Sequence, residues 1–564
     1  MRNELKAPWY KYYKGVREHL DYPDISIYGA LELAAEKYPE NTALNYFGSL
    51  FSYKKLIEDI EKCARAFKQS GIGIGDVVTV CMPNTPEAII VFYALNKIGA
   101  VSSMTHPLSA ENELKNYLLM SESKMLVIVD FAVEKALRII KETKVKEVIS
   151  VSVGVSMPFV VGAGYYLSNV GKIKSTHKAV SWGKFIKRGR GGETDARLTG
   201  KEKAVILYSG GTTGIPKGIV LTNLNVNAVA AQGVEACACL KIPYSVLAIM
   251  PIFHGFGLGI CIHSFLYFGM TCIVLPRFKV PEFHKLLTKY KPSLIAGVPT
   301  LYEALLKNEN MKDVDLSFLK AAISGGDSLS AGLKNKVDKF LREQGADVSV
   351  REGYGLTECV TGSCLMPLGE YRENSIGVPY PDMYYKIVRE GTCDTLPYGD
   401  RGEIVISGPT LMLEYLNNPK ETADTLKTHE DGVTWLHTGD LGYMDEDGFV
   451  YFVGRIKRMI KSSGYDVHPQ QIENVLDAHP RILVSAVVGV KHKYKKQVPK
   501  AFVVLKDNAA PTDEIRNEIT EHCAKNLSKY SMPYEIEFRN VLPTTPVGKT
   551  DYRRLMAKEG DDDE

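Results

Sequence analysis

Apolar positions follow two repeats along this chain. Between Ser52 and Gln69, the residues Leu56, Ile57, Ile60, Ala64, Ala66 and Phe67 predict an amphipathic helix. Val77–Met82 is a short apolar run and predicts a buried strand. Pro86 stands where a first helical turn tolerates proline, and a helix is predicted over 87–98. Runs at 125–129, 204–207, 293–296 and 320–323 predict further short strands. Strands separated by helices imply parallel or mixed sheets with covered faces, an α/β class. Gly71-Ile72-Gly73-Ile74-Gly75 precedes a strand instead of following one, so it reads as a turn and not as a dinucleotide fingerprint.

The texture changes after about residue 400. Val484–Val490 and Ala501–Leu505 predict two strands, with the basic loop Lys491–Lys496 between them, and Asp513–Leu527 predicts an amphipathic helix. These elements make a small α+β unit. The expected division is an N-terminal domain over 1–456 and a mobile C-terminal domain over 457–564.

Two uncharged runs are long enough to raise the question of a membrane span. Residues 242–276 lack Asp, Glu, Lys and Arg, but Pro243, Pro251, Pro276 and Gly255-Phe256-Gly257-Leu258-Gly259 would break a helix repeatedly. A buried core with a pocket loop is expected there. The second run, Val148–Leu167, carries Pro158 and leads into a stretch with no acidic residue before Glu193. That stretch holds Lys172, Lys174, Lys178, Lys184, Lys187, Arg188 and Arg190. An apolar segment followed by a basic one suits an anionic membrane surface. The other reading of this insertion, 148–192, is an exposed loop with solvated charges.

Lys+Arg 69 against Asp+Glu 66 gives +3, too balanced for a whole-chain nucleic-acid binder. The ten cysteines show no CxxC pair and no Cys/His pattern with zinc spacing. With no signal-peptide stretch after Met1, a reducing cytoplasm is expected, with contact at the inner face of the membrane as the peripheral alternative.

The strongest chemical signal is Tyr208-Ser209-Gly210-Gly211-Thr212-Thr213-Gly214-Ile215-Pro216-Lys217-Gly218, which follows a predicted strand. Glycines let the backbone approach a ligand and turn N–H groups inward. Thr212 and Thr213 add hydroxyls, and Lys217 adds a charge, a combination suited to a polyphosphate. Pro216 before Lys217 separates it from the nucleotide-binding P-loop.

This loop resembles the phosphate-binding signature of the adenylate-forming superfamily. Further stretches match in the family's order: Pro251–Gly257, Ser324-Gly325-Gly326-Asp327, Gly353-Tyr354-Gly355-Leu356-Thr357-Glu358, His437-Thr438-Gly439-Asp440, Gly454-Arg455-Ile456-Lys457, Lys461–Tyr465 and Pro546-Val547-Gly548-Lys549. The resemblance runs from about residue 25 to 553. Gly210 is a departure, since the family usually has Ser or Thr there, and it leaves one phosphate-facing hydroxyl fewer.

The resemblance implies attack of a carboxylate on the α-phosphorus of ATP. This gives an acyl-AMP and pyrophosphate, and a thiol then displaces AMP. Anions meet in the first step, so cationic clamps and Mg²⁺ are needed. By resemblance, Thr357 and Glu358 contact the α-phosphate and, with Thr212, hold Mg²⁺. Asp440 binds the ribose hydroxyls, and Arg455 assists. Gly325, Gly326 and Asp327 border adenine, and Tyr354, beside Gly355, stacks on it. Lys549 bridges carboxylate and α-phosphate. Lys457 is the hinge, and rotation about it brings Lys461 and Gly464 to the site for the pantetheine arm of coenzyme A.

His254 belongs to the expected pocket loop, with Phe253, Phe256, Leu258, Val298 and Pro299 as an apolar wall. No Asp stands in that loop to bind an amine. Pro8–Lys11, Leu20–Pro23 and Met104–Leu108 resemble bacterial fatty-acid CoA ligases. The expected activity is a fatty-acid–CoA ligase, more long- than medium-chain. Aryl or bile-type acid activation, carrier-protein loading, and a non-catalytic membrane acyl-binding protein stay open as alternatives.

Overall fold

The computed structural model describes residues 5–168, 178–192, 194–209, 216–277, 279–462, 465–492, 496–506, 509–545 and 548–557. Local capping starts the early helices where the sequence places them. Ser52 accepts from Lys55 N–H ahead of the helix Tyr53–Gln69, and Thr85 accepts from Ala88 N–H ahead of Pro86–Lys97. Each cap satisfies a backbone donor that the first turn leaves unpaired. Pro86–Lys97 is buried along its whole length, which is why it lacks a polar stripe.

An eight-stranded sheet contains Val180–Ser181, Glu147–Val151, Met125–Val129, Val77–Cys81, Val101–Met104 and Lys203–Ser209 in parallel order. Lys217–Thr222 and Glu414–Tyr415 add antiparallel strands. A larger sheet has the parallel block Thr42–Tyr46, Thr271–Val274, Ser245–Ala248, Leu294–Gly297, Ala321–Gly325 and Val350–Tyr354. It continues antiparallel through Cys364–Leu365, Ser375–Pro379, Val450–Arg455, Thr434–Met444, Gly402–Ser407 and Tyr384–Val388. A third, five-stranded sheet is built on the long hairpin Ile482–His492 and Lys496–Leu505. One face of it carries Pro469–Ala478 and Asp513–Asn526 over Ile472, Val487 and Ile519, and the other packs Phe502 against Leu542 and Leu555.

The uncharged run at 242–276 resolves into strand Ser245–Ala248, a wide-pitched helical segment Phe256–His263, a short turn Ser264–Tyr267 and strand Thr271–Val274. Gly257 is essential to it, because a Cβ there would lie 2.1 Å from the Pro251 carbonyl oxygen. Among the described residues, no helix is long and apolar enough to cross a membrane.

The reading of 148–192 as one exposed insertion needs correction. Val148–Val151 completes a buried strand, and Val180–Ser181 pairs with that strand. Phe185 is fully buried, with its ring 4.8 Å from that of Phe67. Arg188 holds Glu147 through two hydrogen bonds of 2.8 Å. The projecting part is the helix Phe159–Ser168, where Phe159, Val160 and Leu167 are 89%, 80% and 75% exposed. Lys172 and Lys174 lie outside the described residues.

Candidate active site

The strands Lys203–Ser209, Ala321–Gly325 and Val350–Tyr354 deliver their C-terminal residues to one cavity of about 1170 Å³. Open α/β sheets present such crevices at strand ends. The wall takes Ser209, Lys217, His254, Gly325, Gly326, Asp327, Tyr354, Gly355, Thr357, Glu358, Asp440, Arg455, Lys457 and Lys549. Residues about 340 positions apart in sequence therefore share one space.

Lys549 reaches the cavity because its segment is pinned on both sides. Thr300 Oγ1 donates to the Gly548 carbonyl at 2.7 Å, and Thr550 N–H donates to Asp327 Oδ2 at 3.2 Å. Gly326 makes room: its φ is +82°, and a Cβ there would lie 3.2 Å from Lys549 Cε. Burial lowers the Lys549 pKa, and the charges of Asp327, Asp440 and Glu358 oppose that shift.

Asp440 and Arg455 occupy paired positions on antiparallel strands. Asp440 is fully buried. Its Oδ2 accepts from Tyr354 Oη at 2.6 Å, and its Oδ1 stands 2.8 Å from Arg455 Nε in an ion pair. That approach lacks hydrogen-bond direction, so Oδ1 has no hydrogen-bond donor. Burial raises the Asp440 pKa, while Arg455 and the Tyr354 bond lower it. A buried acceptor without a donor, in a cavity wall, fits a ligand hydroxyl.

Glu358 sits in the turn Thr357–Cys359 and accepts from Tyr415 Oη at 2.7 Å. Its carboxylate is the hard oxygen donor that Mg²⁺ prefers. Lys217 ion-pairs with Glu421 and lies 4.8 Å from the Tyr415 ring centre, so its charge is already matched at the wall. Gly210, Gly211, Thr212, Thr213, Gly214 and Gly464 lie outside the described residues. Lys461 does not line this cavity; its N–H donates to Gln497 Oε1 at 3.2 Å.

His254 Nδ1 accepts from Phe256 N–H at 3.2 Å. Burial, with the Lys549 charge nearby, lowers its pKa to about 3, so the ring is neutral near pH 7. Gly233 and Val234 of the helix Asn223–Cys237, with Leu240, Ile260, Phe265 and Leu294, line an apolar part of the same cavity.

Among the cavity-lining residues not anticipated from sequence are Tyr415, Glu421, Arg458 and Tyr552. Tyr415 and Glu421 brace Glu358 and Lys217. The Arg458 guanidinium lies 3.4 Å over the Tyr552 ring and donates to Glu473 at 3.1 Å. No local spacing marks these pairs, because each joins distant segments.

A fold with two large sheets, a small third sheet and one cavity between them defines the adenylate-forming class. The AMP-binding enzyme family matches residues 31–416, and the AMP-binding enzyme C-terminal domain matches 471–549. The chain belongs to this family, and it is an AMP-forming acid–thiol ligase that uses ATP, Mg²⁺ and CoA. It is 32% identical over 570 residues to the long-chain-fatty-acid–CoA ligase of Bacillus subtilis (strain 168), covering 99% of each chain. The enzyme of that name from Yersinia pestis is 32% identical over 573 residues, covering 98% of each. The crystal structure of the anthranilate CoA ligase AuaEII with anthranoyl-AMP superposes with a TM-score of 0.84 at 23% identity, covering 96% of this chain and 98% of that one.

Proposed function

We propose that this chain joins medium- or long-chain fatty acids to CoA through an acyl-AMP. The observation that carries this reading is the apolar part of the cavity, lined by Val234, Leu240, Ile260, Phe265 and Leu294. Such a lining suits a hydrocarbon chain. The full-length relatedness to enzymes named for long-chain fatty acids supports the same reading.

In the first step the fatty-acid oxygen bonds to the α-phosphorus of ATP, and pyrophosphate leaves. Lys549 spans carboxylate and α-phosphate and stabilises charge in transit. Glu358, with Thr357 and Thr212, would hold Mg²⁺, which would supply neutralisation of phosphate charge. Asp440 accepts from the ribose hydroxyls, and Arg455 fixes Asp440. Tyr354 stacks on adenine, which Gly325, Gly326 and Asp327 border. Ser209, Lys217 and the glycine-rich loop between them hold the polyphosphate. His254 stays neutral and shapes the acyl entrance. In the second step the CoA sulfur bonds to the acyl carbon, and AMP leaves. The domain of residues 457–564 turns about Lys457 between the steps, withdrawing Lys549 and bringing Lys461 and Gly464 in.

The exposed apolar helix Phe159–Ser168, followed by the basic stretch ending at Arg190, is proposed to rest on an anionic membrane, from which acyl chains are drawn. Pyrophosphate release across a panel of acids, with and without CoA, tests the assignment. Fatty acids of medium or long chain are expected to turn over only with CoA present. Preference for an aryl acid, or turnover with a carrier protein but not CoA, overturns it.

A further inference from the structure

At the edge of the ATP cavity, which Glu403 and His437 also line, the larger sheet gathers a second set of donor atoms. We propose that Cys393, His429 and His437 bind one divalent cation of the zinc type. One donor atom from each lies within 4.8 Å of the others. The three come from separate segments. Cys393 lies between the strands Tyr384–Val388 and Gly402–Ser407, His429 follows the strand Leu426–Thr428, and His437 is in Thr434–Met444. No zinc-like spacing exists in the sequence because the strand order, not a motif, assembles them.

The geometry fits an ion as well as a hydrogen bond between the two rings. His429 Nε2 and His437 Nε2 face each other at 3.0 Å. Two nitrogens each about 2.0–2.1 Å from a tetrahedral ion stand about 3.3 Å apart, only a few tenths of an ångström more. His437 Nδ1 lies 2.9 Å from Glu403 Oε2. A carboxylate there accepts a hydrogen bond from His437 Nδ1–H, which leaves Nε2 as the lone-pair donor, the arrangement that orients metal-bound imidazoles. Both histidines are buried, whereas Cys393 is half-buried at the entrance.

Without an ion, one proton on His429 Nε2 can bridge the two rings. An ion on both Nε2 atoms replaces that proton, which moves to His429 Nδ1, a buried atom without a partner. The Cys393 thiol releases its proton and supplies the third bond, and water supplies the fourth. Two imidazoles and a thiolate select zinc over Mg²⁺, so this site is chemically distinct from Glu358. Glu403 Oε1 also accepts from Gly439 N–H at 2.9 Å. The bound ion therefore braces the strand that carries Asp440.

The test uses the full chain, reduced and stripped with a chelator, then titrated with Co²⁺. Expected are the visible bands of a four-coordinate ion and a near-ultraviolet thiolate band, both saturating at one equivalent and discharged by Zn²⁺. Cys393→Ser removes the thiolate band and weakens Zn²⁺ at least roughly 10-fold, and Glu403→Gln weakens it roughly 10–100-fold. Because Cys393 sits in a loop between strands, its serine variant tests the site even where a histidine variant fails to fold. A six-coordinate cobalt spectrum, or a thiolate band that survives in Cys393→Ser, overturns the proposal.

Discussion

Asp440 and Arg455 face each other across an antiparallel ladder, with Nε 2.8 Å from Oδ1, while Tyr354 holds the other carboxylate oxygen at 2.6 Å. Asp440→Ala removes the proposed ribose acceptor and leaves Tyr354 Oη without its partner. Hydrogen bonds to a charged group are worth about 1.5–3 kcal/mol each. The KM for ATP is expected to rise roughly 10- to 100-fold, with the KM for the acid little changed. Equal changes in both would separate Asp440 from the nucleotide.

Lys549→Ala is expected to slow acyl-AMP formation by roughly 10²–10³, the scale of losing one preorganised charge-stabilising group. Thioester formation from supplied acyl-AMP should survive. Pre-steady-state measurement of each half-reaction decides this, and an equal loss in both contradicts the division of labour.

Lys457→Pro restricts φ at the proposed pivot. Acyl-AMP should still accumulate in a single turnover, whereas transfer to CoA slows at least roughly 10-fold. Unchanged steady-state turnover would place the pivot elsewhere.

The apolar helix makes a separable prediction. Phe159→Ser with Leu167→Ser should reduce co-sedimentation with anionic vesicles. Replacing Lys184, Lys187 and Arg190 with Gln should do the same most clearly at low salt, at about 1 kcal/mol per charge. Arg188 is left out because Glu147 already binds it. Activity on a short soluble acid should persist in both variants. If wild type fails to bind vesicles, the helix has another purpose.

Burial pushes the carboxyl of Glu87 up to about 7, that of Asp477 to about 7 and that of Glu352 to about 8. The folded chain therefore holds protons that the unfolded chain has lost above its ordinary carboxyl range. Stability is full below that range, falls as pH rises through it, and the loss is complete above the folded values. For Glu87, the rise from 4.5 to about 7 corresponds to roughly 3 kcal/mol. Glu87→Gln still accepts from Ser156 Oγ, 2.5 Å from Glu87 Oε1, and cannot ionise. Thermal melting from pH 5 to 9 should decline less steeply in the variant; parallel curves would refute this.

Sequence reading succeeded where chemistry is local. The helices behind Ser52 and Thr85 carry their own caps, and the strands at 77–81 and 125–129 are continuous apolar runs. Tyr354, Glu358, Asp440 and Lys549 stand in short motifs, and the fold brings all four to one cavity. It failed where a side chain's meaning depends on what crosses from another segment. Arg188 looked like one of seven solvated charges, yet Glu147 waits on the adjoining strand. Nothing near Lys217 in the sequence signals Glu421 and Tyr415, which meet it at the cavity wall. Tyr552 and Cys393 give no signal until the sheets bring Arg458 and His429 to them.

Arg455 belongs by its ladder and its carboxylate to the large body, and Arg458 belongs by Glu473 and Tyr552 to the small one. Only Ile456 and Lys457 lie between these anchors. Two residues offer four soft dihedral angles and a span of about 7 Å at most. If Lys457 is the pivot proposed above, such a joint does not let the smaller body drift or search; it swivels about a nearly stationary point. Two dockings of that body would then differ mainly in angle, each found again after every catalytic cycle without a diffusive excursion.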